Sequence, residues 1–232
     1  FKDPIVNTDF FGNDEFHIKT FPVLLSNPPN IIRRIPIHQN EENVLKRILI
    51  AQDAFNEFRE YGLLVPCFQV IKTRLASEID PNYYIITELI TGLSLPMLEV
   101  TQQNTLEVQA EISKYLISLI NYCQKKYLSK SYYPTDLLPH QLVYGKDSKG
   151  ILGIYWVDLD PLIQWINPDI PDSVTFFLEK YLGFIVVRIL DFEERCNARL
   201  SLVRDLLKSF AEEIEQNSLF TEELIKTLHY LD

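Results

Sequence analysis

Asp136, Gln141 and Asp158 are the residues of this chain whose types and spacing could do chemistry together. Asp136 opens the stretch Asp136-Leu-Leu-Pro-His-Gln141, and Asp158 closes the apolar run Ile151-Leu-Gly-Ile-Tyr-Trp-Val-Asp158. Two anionic carboxylates and an amide oxygen are hard ligands of the kind that hold magnesium against nucleotide phosphates. His140 lies in the same stretch, but no Ser or Cys accompanies it, so it reads as a loop imidazole bonded to backbone rather than a triad base. His17, His38 and His229 are scattered and suggest no metal cluster. Cys67, Cys123 and Cys196 form no CxxC pair and read as buried free thiols. That usage fits a reducing compartment and makes a cytoplasmic location the expectation.

Composition bounds the partners. The 232 residues are 47% hydrophobic, enough to bury a core without disulfides. A net charge of −10 disfavours nonspecific contact with nucleic acid or an anionic membrane, because both need clustered Lys and Arg. The most apolar run, Tyr181 to Leu190, is interrupted by Arg188 and is about half the length of a bilayer span, so no membrane span is expected.

The elements that must position the three residues can be read from periodicity. Phe16 to Leu25 and Ile31 to Ile37 read as strands around the turn Ser26-Asn-Pro-Pro-Asn30. Asn40-Glu-Glu-Asn43 caps a helix to about Tyr61, with Val44, Ile48, Ala51, Phe55 and Phe58 on one face and Gly62 ending it. Val65 to Leu75 and Tyr83 to Leu89 read as a second strand pair. Leu93 to Asn104 reads as a connector, and Leu106 to Leu128 as a long helix burying Ile112, Tyr115, Leu116, Leu119, Ile120 and Cys123. Gln141 to Tyr144 and Ile151 to Val157 form a hairpin around Gly145-Lys-Asp-Ser-Lys-Gly150. Pro161, Pro168 and Pro171 keep the next segment irregular. Ser173 to Cys196, Leu200 to Gln216 and Thr221 to Leu231 are helical, the last capped by Ser218 or Thr221. The expected class is α+β, with a sheet-rich lobe at residues 1–90 and a mainly helical lobe at residues 91–232 carrying Asp136 and Asp158.

That order, with Asp-x-x-x-x-Gln before a strand that ends in Asp, resembles the protein-kinase-like superfamily. The resemblance implies a two-lobed fold, with one helix beside a small antiparallel sheet and a truncated activation segment in the helical lobe. It implies ATP and Mg²⁺ as ligands, Asp136 as the catalytic carboxylate, and Gln141 and Asp158 as metal ligands. Gly12-Asn-Asp-Glu-Phe16 resembles the phosphate-covering turn, keeping Gly12 and Phe16. Arg34 and Asp53 fall close to the family's phosphate-pairing Lys and its helical Glu, with Arg33 and Glu57 as neighbouring alternatives. Tyr83-Tyr-Ile-Ile-Thr-Glu-Leu-Ile-Thr-Gly92 resembles the hinge strand, which implies adenine contacts from the backbone of Glu88 to Ile90 and a gatekeeper at Thr87. An ordinary buried strand is the alternative reading of that segment.

The chain departs from the family in several places. Pro134-Thr135 replaces the His-Arg before the catalytic Asp, Leu138 replaces a Lys, and Asp158-Leu-Asp160 replaces Asp-Phe-Gly. Two glycines of the phosphate turn are lost, and no Ala-Pro-Glu follows Asp158. The implied function is therefore an atypical kinase-like domain that binds a magnesium nucleotide and transfers phosphate to a small or lipid-linked hydroxyl. The alternative is an inactive pseudokinase that recognises a protein partner through its helical lobe. A third reading, from outside the family, is an unrelated α+β domain.

Overall fold

The computed structural model describes residues 20–23, 30–34, 41–73, 82–129, 133–134, 137–157, 165–166, 172–217, 219 and 221–230. The chain is α+β. Strands β1 (Thr20–Val23), β2 (Asn30–Arg34), β3 (Phe68–Thr73) and β4 (Asn82–Glu88) form one antiparallel sheet in the order β1-β2-β4-β3. Helix α1 (Glu41–Glu60) lies between β2 and β3 in the chain. Its start is as expected, although the cap at Asn40 lies outside the described residues. Its end is at Gly62, whose φ of +79° puts it in the left-handed region that a side chain disfavours. Leu63 N–H then reaches back to Phe58 O at 2.9 Å, satisfying a carbonyl that the helix end would otherwise leave open.

A second antiparallel sheet has the order β5-β7-β8, from β5 (Thr91–Ser94), β7 (Leu142–Lys146) and β8 (Leu152–Trp156). The expected hairpin is β7–β8, closed with Leu142 opposite Trp156 and Lys146 opposite Leu152. The expected connector after residue 90 is corrected: it begins with β5, followed by a 3₁₀ turn at Leu95–Met97. Thr91-Gly-Leu-Ser94 carries no alternation and takes its identity from β7, some fifty residues on. At that pairing a Cβ on Gly92 would stand 2.1 Å from Tyr144 O, and one on Gly145 would stand 2.6 Å from Thr91 O, so only glycines allow the two backbones to meet. A third, two-stranded pair joins β6 (Tyr133–Pro134) to β9 (Trp165–Ile166), again from segments expected to be irregular.

The helical half is α2 (Thr105–Lys126), α3 (Ser173–Cys196), α4 (Ser201–Gln216) and α5 (Glu222–His229). α2 packs on α3 and α4, and α5 on α3. All six expected α2 core residues are buried. Thr221, rather than Ser218, caps α5 by accepting Leu224 N–H at 3.2 Å. One core runs through both halves, because Phe55, Phe58, Leu63 and Val65 join the cluster formed by α2, α3 and α4. Phe58 stacks on Trp156 at 5.5 Å and meets Tyr122 edge-on at 4.8 Å, fastening the end of α1 to the helical half. No helix among the described residues is long and apolar enough to cross a membrane.

Candidate functional site

Two ladders flank the chemistry-bearing stretch in the chain. The first is the pairing of Pro134 with Trp165 and of Tyr133 with Ile166. The second is the hairpin itself, extended by Val157 N–H donating to Gln141 O at 2.9 Å. Asp136 follows Pro134 by two residues, and Asp158 directly follows Val157. Both carboxylates lie outside the described residues, as do Gly12 and Phe16.

Gln141 ends a 3₁₀ turn, Pro139–Gln141, that Pro139 favours at its first position. The side chain is 2% exposed and turned back on its own loop. Its Oε1 accepts Leu138 N–H at 3.1 Å, while Gln141 N–H donates to Leu138 O at 3.0 Å. Gln141 thus serves its own loop as a brace. His140 is exposed in the same turn. Among the described residues, no group of three or more His, Cys, Asp or Glu could hold a metal ion.

The upstream candidates are placed as follows. Arg34 ends β2 opposite Tyr84, and Arg33 lies opposite Ile85. Asp53 is exposed on α1 and lines a hollow of about 520 Å³ with Glu57, Glu60 and Lys126. Glu57, the alternative, is paired with Lys126 of α2. Thr87 and Ile90 are buried, at 9% and 7% exposure.

Glu88 differs most from expectation. The resemblance assigns a role to its backbone, but its carboxylate has two partners of its own. Oε2 accepts Cys67 N–H at 3.2 Å and Oε1 accepts Ser148 N–H at 2.7 Å. Partial burial works against the anion, yet the hydrogen bonds from Ser148 and Cys67 outweigh it and hold the carboxyl below its ordinary range. Cys67 is exposed, which corrects the reading of all three thiols as buried; Cys123 and Cys196 are buried. The Cys67 and Ser148 contacts were missed from sequence because the donors are backbone amides, which carry no side-chain signature.

No protein-family model matches the chain, and no curated protein matches it significantly.

Proposed function

We propose that this chain is an atypical kinase-like domain that binds a magnesium nucleotide and transfers its terminal phosphoryl group to a small or lipid-linked hydroxyl. The observation that carries the reading is the bond from Val157 N–H to Gln141 O, which sets the residue before Asp158 beside Gln141. The order of strands and helix in the first sheet adds support, since Arg34 ends the strand before α1 as the phosphate-pairing cation would. In this reading Asp136 orients the acceptor hydroxyl and takes its proton as the new P–O bond forms and the bond to the nucleotide's leaving oxygen breaks. Asp158 and Gln141 would hold magnesium through side-chain oxygens, and its charge would offset that of the phosphates.

A second reading, a nucleotide-free scaffold, is favoured by the occupied side chains. Gln141 Oε1 already braces Leu138, and both oxygens of the Glu88 carboxylate are engaged by backbone N–H groups.

Thermal unfolding with ATP separates the two. Saturation at about a hundred times Kd adds roughly 2.7 kcal/mol, which for a chain of this size raises Tm by about 5–10 °C. The kinase-like reading expects that rise with magnesium and its loss on chelation. It further expects Asp136→Asn to keep the rise and abolish phosphoryl transfer. An unmoved Tm at millimolar ATP rejects it in favour of the scaffold.

A further inference from the structure

The chain passes from the first sheet to the second through Leu89 and Ile90 alone, since β4 ends at Glu88 and β5 begins at Thr91. At that crossing the Glu88 carboxylate takes one N–H from Cys67, just before β3, and one from Ser148, in the turn between β7 and β8. Glu88 N–H also donates to Cys67 O at 2.9 Å. We propose that Glu88 is a latch that clamps the start of β3 and the end of β4 to the β7–β8 turn, and that its opening frees Cys67 and the β5 edge at Leu89–Ile90 while the bond from Trp156 N–H to Leu64 O and the Phe58–Trp156 stack still hold β8. The latch goes beyond the nucleotide reading and stands without it.

The turn is built to present a donor. Gly150 N–H closes it onto Asp147 O at 3.0 Å, and Asp147 Oδ1 accepts Lys149 N–H at 2.9 Å and Ile151 N–H at 2.8 Å. Gly150, at φ +79°, supplies the left-handed residue that the return strand needs. Ser148 N–H is thereby left pointing away from the turn, at Glu88. A carboxylate held by aligned N–H groups makes charge-assisted bonds, stronger than those between neutral groups. The titratable groups facing it are Asp147, Tyr155 and Cys67. Asp147 repels it and Tyr155 Oη is committed to Ile151 O at 2.9 Å, so no cation stands in for the two N–H groups among these neighbours. Removing a donor should therefore open the latch rather than exchange one partner for another.

Ser148→Pro tests this, because Ser148 is the second residue of a four-residue turn, a position that proline favours, and the change removes both the N–H and the hydroxyl that meet Glu88. Hydrogen exchange of the intact chain would be compared for wild type, Ser148→Pro, Glu88→Gln and Glu88→Ala. The latch predicts exchange about tenfold faster at Cys67 and residues 91–94 in Ser148→Pro and Glu88→Ala, with α3 unchanged. Glu88→Gln, which keeps one strong acceptor oxygen, should fall between these and wild type. Rates at Cys67 and residues 91–94 within twofold of wild type in Ser148→Pro overturn it. A uniform rise that includes α3 also overturns it, because that is global destabilisation.

Discussion

Between α2, α3 and α4 the chain is held by aromatic volume: Tyr122, Phe177, Tyr181 and Phe210 are fully buried, and Phe177 and Tyr181 lie 4.4 Å apart. At the end of β4 it is held by one carboxylate and two backbone amides. The core tolerates polar atoms without partners, since Tyr115 Oη and Trp156 Nε1 are buried with none among the described residues, each a cost of about 1–3 kcal/mol. The junction satisfies its charge with directional contacts. The difference teaches that stability in this fold resides in the helical half, while the relative placement of the sheets, and of any site beneath them, depends on a few hydrogen bonds. Changes in the core should therefore unfold the protein, and changes at the sheets should loosen it locally.

The largest effect is expected at Phe177. Truncation to Ala in a fully buried cluster should cost about 3–5 kcal/mol, measured by urea unfolding, and a loss below 1 kcal/mol would remove the asymmetry. Next comes Glu193, whose carboxylate binds Arg204 Nε at 2.8 Å and also accepts Leu200 N–H at 2.8 Å. Both partners of this pair are largely buried, so Glu193→Ala, which removes the carboxylate that both Arg204 and Leu200 N–H bind, should cost about 3 kcal/mol.

The pair also fixes a pH dependence. The Arg204 hydrogen bond outweighs burial and lowers the Glu193 pKa from its ordinary 4.5, so the folded chain binds the proton less readily than the unfolded chain. The stabilisation is complete above about pH 4.5 and is lost as the pH falls through the lowered folded value. Glu193→Gln should flatten that acid slope, and an unchanged slope would assign it to other carboxylates.

A smaller and local effect is expected at Gly145. An added Cβ meets the backbone of Thr91 and Gly92, so Gly145→Ala should cost about 1–3 kcal/mol and separate β5 from β7 while leaving the helices protected from exchange. Loss of protection in α3 would place this crossing within the core instead.

The parts of the fold that could be read from sequence are those that declare themselves locally. α3 spans the residues that its helical period predicts, and the β1–β2, β3–β4 and β7–β8 pairings follow turns visible in the chain. β5, β6 and β9 could not be read, because strands of two to four residues carry no period and are defined by partners remote in sequence. In the candidate site the chemical types of Asp136, Gln141 and Asp158 were legible. The burial of Gln141 and its bond to Leu138 N–H were not, since a glutamine in a loop gives no sign of which way it turns. The role of the Glu88 side chain was hidden for the same reason: its partners are amides of Cys67 and Ser148, far apart in the chain.

The central claim, a magnesium-nucleotide site at the base of β7 and β8, is tested most directly by calorimetric titration of ATP into wild type and Asp158→Asn, each with magnesium and with chelator. The account predicts that wild type binds at least tenfold more tightly with magnesium, about 1.4 kcal/mol or more, and that Asp158→Asn binds equally under both conditions. No binding heat at millimolar ATP, or a magnesium dependence that survives Asp158→Asn, would contradict it.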